Sequence, residues 1–331
     1  MKSPHILFLI LIFFMCCAGT ASAAVIDVGE GYSYTTIASG MAAASSGDFI
    51  HVHPGTYTIS STIQPSKTDL TLYGDGYNNT IIEAAAYDTF SYDSHSDPRG
   101  SMIYVSGSGA NGFEIYGFKI DGGCADNTSQ HDVGGTTDGG SSITVRGGAA
   151  YVSIHDIYFT LGMGDCIFGG GSSHVDVYNC IMLRPGHDGI QLWGSTTWNI
   201  TNCIIDRQTN SGIRLASYAK NINISRVTMY TTLGGGYADI EWEGADSGNT
   251  VDHCVFNAVG PVIADYSGSG TMGFTNNICY NIDVPSNPTG SVTLSPYSGN
   301  QYTTTTWDWV ASGYGYNPSE TTGGNGTGEP M

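Results

Sequence analysis

Basic charge is what this chain lacks most. It holds 10 Lys and Arg against 29 Asp and Glu, a formal net charge of −19. That balance excludes a nucleic-acid partner, because phosphate binding needs a basic surface. Charge of either sign is sparse, at 12% of residues, so a fold of long helices laced with Glu–Lys pairs is excluded too. Beyond the first two dozen residues no apolar run approaches the ~20 residues of a membrane span, and no membrane insertion is expected. There is no CxxC pair and no Cys/His spacing of a zinc site, and no metal or cofactor is expected.

Glycine, by contrast, is abundant at 47 residues, alongside 21 tyrosines. With plentiful Thr, Ser and Asn, this is the composition of many short strands joined by tight turns. The start, "MKSPHILFLILIFFMCCAGTASA", has one lysine, an apolar run and a small-residue Ala-Ser-Ala site. It reads as a signal peptide over 1–23, placing the mature protein outside the cell or at its surface. Cys16 and Cys17 would leave with it. Cys124, Cys166, Cys180, Cys203, Cys254 and Cys279 remain.

A repeat organises the rest. Ile143, Ile167, Ile190, Ile213, Ile240 and Ile263 follow one another at steps of 24, 23, 23, 27 and 23. A second column, Ile157, Cys180, Cys203, Val227 and Cys254, steps by 23, 23, 24 and 27. Two columns with one beat predict stacked coils of about 23 residues, a single-stranded right-handed parallel β-helix whose core exists only because neighbouring coils cover each other. The predicted layout is the β-helix over 24–300, a C-terminal cap over 301–317 and a flexible tail over 318–331. A short N-terminal capping helix over Thr36 to Ala44 closes the first coil. A polar insertion between Asp121 and Gly140 projects as a loop. Cys180 and Cys203 fall on one column, so they are core ladder residues; one coil of separation also allows them a disulfide.

Two phrases then stand out. "LRPGHDGIQLW" slid forward by 23 residues lands on "IDRQTNSGIRL", putting Arg184 on Arg207, His187 on Asn210 and Asp188 on Ser211. Equivalent positions in stacked coils lie about 4.8 Å apart, where like charges repel, so a solenoid has no structural use for such columns. Asp165 precedes Asp188 on its column, and Gln191, Arg214 and Glu241 follow one another on another. Arg184, Arg207, Arg214 and Arg226 are four of the chain's six arginines. In so acidic a chain, that concentration suggests an anionic ligand held by Arg. Single Asp, Asn or His residues at strand starts are ordinary turn formers; only their clustering over adjacent coils argues for a site.

Paired carboxylates flanking a sugar bond are the requirement of glycoside hydrolysis. Asp165 and Asp188 are the acid/base candidates, with Asp239 and Glu241 as alternatives. Arg184, His187, Arg207, Asn210 and Arg214 are candidate substrate ligands, and Trp193 and Trp242 candidate sugar platforms. The expected partner is an acidic polysaccharide, bound by a monomer. A competing chemistry is β-elimination from a uronic acid, with a calcium ion neutralising the carboxylate. A third possibility is a surface protein that holds sugar without cutting it.

The "PGHDGI" and "RQTNSGIR" phrases resemble those of the disaggregatase family of methanogenic archaea, over about Asp165 to Ser217. That resemblance implies a right-handed β-helix acting on a chondroitin-like matrix polysaccharide, with His187, Asp188, Arg207, Asn210 and Arg214 in its cleft. Gln208 is an extra residue relative to the family pattern. "GDC" and "GHDG" are faintly similar to polygalacturonase motifs, but the Asn-Thr-Asp and Arg-Ile-Lys phrases of that family are absent.

Overall fold

A computed structural model describes residues 22–86, 89–90, 97–123, 140–162, 164–206, 210–230, 238–257, 262–267, 270–280 and 292–303. The predicted signal peptide, the insertion, most of the C-terminal cap and the tail lie largely or wholly outside them. The chain winds as a parallel β-solenoid of about nine turns with very little helix. Among the described residues its strands form two parallel sheets, one of nineteen strands and one of seven.

One coil shows how the sequence dictates the winding. Ile167–Gly170 lies in the smaller sheet, then Ser173–Tyr178 and Ile181–Leu183 lie in the larger. The bend between the last two is made at Asn179, with φ 56°. Asp156, Asn202, Arg226, His253 and Asn276 repeat that left-handed conformation in their own coils. Asn and Asp tolerate it best, because their short polar side chains bond locally. The asparagines also bond along the stack, Asn202 Nδ2 donating to Asn179 Oδ1 at 2.7 Å.

The smaller sheet runs in register through the predicted isoleucine column: Ile143, Ile167, Ile190, Ile213, Ile240 and Ile263 are paired neighbours, all buried. The second column is likewise inside. Cys180, Cys203 and Cys254 are buried, free thiols, with Val227 between them; the alternative of a Cys180–Cys203 disulfide is not what the structure has. Trp198 fills the coil centre, fully buried. It fits because position 169 is glycine, where a Cβ would come within 2.6 Å of the indole.

The capping helix spans Ile37–Ala43, a residue shorter at each end than expected. Thr36 is its N-cap, its Oγ1 accepting from the Ser39 N–H at 3.2 Å. Gly40 lets it lie against Val28 of the first strand, since a Cβ there would meet Val28 Cγ2 at 2.4 Å. At the other end, Gln301–Thr303 pairs with Ile278–Tyr280 and continues the solenoid. Among the described residues no helix is long and apolar enough to cross a membrane.

Candidate active site

The smaller sheet carries the site on its outward face. The strands Ile167–Gly170, Ile190–Trp193, Ile213–Ala216 and Ile240–Glu243 each start with an inward isoleucine, and alternation then sends the next residue out. Paired coils therefore align Phe168, Gln191, Arg214 and Glu241 in one outward row. Two residues further along, Gly170, Trp193, Ala216 and Glu243 make a second row. A third row, Asp165, Asp188 and Ser211, lies in the turns just before the strands.

That third row is bonded along the stack. Asp165 Oδ1 accepts the Asp188 N–H at 3.1 Å, and Asp188 Oδ1 accepts the Ser211 N–H at 2.7 Å. The carboxylates thus do the turn-forming work expected of them singly. They also do more. His187 Nδ1 lies 3.0 Å from Asp165 Oδ1 and 3.3 Å from Asp188 Oδ2, bridging the two coils. Asn210 Nδ2 donates to Asp188 Oδ1 at 2.7 Å. Burial by itself disfavours a charged ring at His187, but the Asp188 and Asp165 carboxylates outweigh it and push its pKa up to about 11. His187 is therefore an imidazolium at neutral pH.

Ser211 links this group to the outward row. Its Oγ donates to Glu241 Oε2 at 2.6 Å. Arg214 Nε faces Glu241 Oε1 at 3.3 Å and donates to Glu243 Oε2 at 2.9 Å. Burial raises the Glu241 carboxyl above its ordinary range, against the pull of Arg214 and Ser211. Gln191, one coil before Arg214, is fully buried, with neither amide atom bonded among the described residues. Trp193 is 46% exposed. Its paired neighbours on either side are Gly170 and Ala216, so no large side chain crowds the indole.

Ligand-capable atoms of Asp165, His187 and Asp188 lie within 4.8 Å of one another. A cation there would have to displace the proton that Nδ1 shares with both carboxylates, and imidazole nitrogen is a poor donor for calcium, which prefers oxygen.

The model of the family described as right handed beta helix region matches residues 44–236 and 141–306. This chain belongs to the right-handed β-helix family. A DFA-IIIase from Arthrobacter chlorophenolicus A6, solved in complex with GF2, is similar in structure over 77% of this chain and 69% of that one, at 14% identity and a TM-score of 0.58. A polygalacturonase from Erwinia carotovora ssp. carotovora is similar over 86% of this chain and 94% of that one, at 13% identity and a TM-score of 0.56. At such identities the likeness establishes the shared fold. Comparison with curated protein sequences gives no match.

On this β-helix the residues singled out from the sequence part into two groups. Asp165, His187, Asp188, Asn210, Arg214 and Glu241 form one connected network over four coils, with Trp193 on the same face. Arg184, half-buried, sits in the turn leading to His187 with φ 56°. Arg207 lies outside the described residues. Two expectations are corrected. Trp242 is fully buried in the hydrophobic core, on the inward row with Leu192 and Leu215, so it is no sugar platform. Asp239 is fully buried near the core thiol of Cys279, whose pKa is raised first by burial and then by Asp239. Neither Asp239 oxygen has a bonding partner among the described residues, and burial holds its carboxyl well above the usual range. It aligns with Gly212 and Gly189 on a row facing inward, where their Cβ atoms would strike Met229 and Ile205. Ser211 and Glu243 join the site although neither was a leading candidate; their signal was the register of the columns.

Proposed function

We propose that this β-helix is an exported glycoside hydrolase that cleaves a polysaccharide along the outward face of its smaller sheet. The observation that carries the reading is the placement of two buried carboxyls, Asp188 and Glu241, two coils apart and both bonded to Ser211 of the coil between them. They stand beside an exposed indole with room for a sugar ring. Glu241, whose carboxyl burial raises above its ordinary range, is the proton donor to the leaving oxygen. Asp188 is the second carboxyl, oriented by His187, Asn210 and Ser211, and Asp165 holds His187 in place. Two coils separate Asp188 from Glu241, which suits the wider spacing of an inverting pair. Trp193 covers the apolar face of one sugar ring.

The fold of a polygalacturonase and the phrases similar to disaggregatases support an acidic chain as substrate. The imidazolium of His187, with Arg184 and Arg207, would meet its carboxylates or sulfates. Arg214 is held between two glutamates and serves chiefly to position them.

The test is incubation of the purified protein with chondroitin-like, pectin-like and neutral polysaccharides, with and without EDTA. Hydrolysis gives new reducing ends and no ultraviolet absorbance of an unsaturated uronate, and Asp188→Asn removes the signal. Absorbance that EDTA abolishes would replace this reading with a calcium-dependent lyase. Retention of the sugar with neither signal would make the face a binding surface.

A further inference from the structure

Far from that face, at the first coils of the solenoid, the strand Phe49–Val52 and the residue after it read "HVH". Register sets Asp27 beside His51, one coil apart. Three atoms converge there. Asp27 Oδ1 lies 2.8 Å from His53 Nε2 and 3.5 Å from His51 Nδ1. All three ligand-capable atoms are within 4.8 Å of one another.

The outer nitrogens are already committed elsewhere. His51 Nε2 is 3.0 Å from Asp75 Oδ1, and His53 Nδ1 is 3.3 Å from the Tyr32 hydroxyl. The Asp75 carboxylate on the far nitrogen of His51 fixes that imidazole's tautomer and turns its Nδ1 lone pair inward, the usual support behind a metal-bound histidine; His53 Nε2 donates to Asp27 Oδ1, and an ion would take the place of that one proton. Rings on both sides hold the two imidazoles: Tyr32 stacks on His53 at 4.0 Å between centroids, and Tyr73 on His51 at 4.6 Å. A ligand set is therefore oriented before any ion arrives. The histidines are about one-fifth exposed, so the group is open to solvent on one side.

We infer that Asp27, His51 and His53 form a binding site for a borderline divalent transition ion such as Zn²⁺, supported by Asp75 and Tyr32. Two imidazoles and one carboxylate suit such an ion and not calcium or magnesium, which select oxygen. The fourth position is left to water. Because Asp27 belongs to the first strand and the histidines to the second coil, the ion staples the capped end of the solenoid.

The experiment is titration of the EDTA-stripped full chain, with Zn²⁺ followed by calorimetry and Co²⁺ by its visible ligand-field absorption. One equivalent per chain is expected, with intense tetrahedral-type Co²⁺ bands and a melting temperature that rises by several degrees with Zn²⁺. The variant pair Asp27→Asn with His53→Gln should abolish the uptake. Asp75→Asn keeps all three ligands and should weaken it by about 10- to 100-fold. His187→Gln should leave it unchanged. Absence of saturable one-to-one uptake would overturn the site, as would uptake that survives the Asp27/His53 pair. Loss of uptake in His187→Gln would overturn it as well, by moving the ion to the other face.

Discussion

Glu241 is pulled two ways, and that tension makes it chemically useful. Burial favours its neutral form while Arg214 at 3.3 Å and the Ser211 hydroxyl at 2.6 Å favour its anion. Burial wins, so Glu241 keeps a proton above the pH at which a free glutamate would lose it. Activity should accordingly fall on the alkaline side as Glu241 ionises, and Glu241→Gln should cut kcat by about 10²–10⁴-fold while leaving the folded structure intact. Steady-state rates on the preferred polysaccharide across pH decide this; an unchanged kcat in Glu241→Gln would remove it from the acid's role. His187 makes a second, independent prediction. Its folded pKa of about 11 lies far above the ~6.5 of an unfolded histidine. The folded state therefore holds a proton that the unfolded chain releases across that window. The stabilisation is complete below about pH 6.5 and is lost as pH rises toward 11. Melting temperature should decline more steeply between pH 7 and 10 in the native chain than in His187→Gln. Parallel declines would mean that the imidazolium contributes nothing to stability. At this scale the sequence was partly legible. In-register columns put Asp165, Asp188, Arg214 and Glu241 together. Trp242 misled because a tryptophan beside glutamates looks like a platform, yet it is two residues from Ile240 and so shares its inward face. Asp239 misled because the turn before the strand breaks strict alternation, and its row, Cys166, Gly189 and Gly212, faces the core.

Single elements are held by a few side chains that no local pattern announces. The left-handed bend between the two larger-sheet strands of a coil falls on Asn179 and Asn202, but also on Arg226 and His253, so the spacing marks it better than residue type does. Gly169 is the sharper case. Its strand lies over Trp198, and an added methyl would stand 2.6 Å from the indole and 2.7 Å from Leu192. The fused ring cannot flex away. Gly169→Ala should therefore destabilise the protein by about 1–3 kcal/mol, the usual range for overpacking a filled core. Trp198→Leu alone should also destabilise, by leaving a cavity. Combined, the two changes should cost less than their sum, because the smaller side chain makes room for the methyl. Urea unfolding of the four proteins measures the coupling, and simple additivity would show that the two residues do not compete for space. No sequence pattern names this pair, since Gly169 and Trp198 belong to strands of different sheets in adjacent coils and meet only in the interior.

The whole molecule is a stack whose stability is shared between neighbours, so its ends decide how it behaves in solution. The coil period was legible because each turn must present the same face to the next, and sequence shows that directly. How the open end is sealed was legible only in outline. The seven-residue helix Ile37–Ala43 buries Ile37 and Met41 over the first strand, and Gly40 sets the distance of approach. A side chain at position 40 has to displace Val28 or lift the helix. Gly40→Leu should thus uncover the backbone edge and apolar end of the first coil, which is a template for pairing with another chain. Because the lower coils do not depend on the cap for their own contacts, they should stay folded, with an unchanged β-type circular dichroism spectrum. The expected outcome is therefore association without unfolding: oligomers that grow with concentration in sedimentation velocity beyond the state of the native chain. A Gly40→Leu protein that sediments as the native chain does would show that the helix is not what keeps the first coil from pairing. Global loss of the β spectrum would show that the stack folds from its cap, and that end and middle are one cooperative unit.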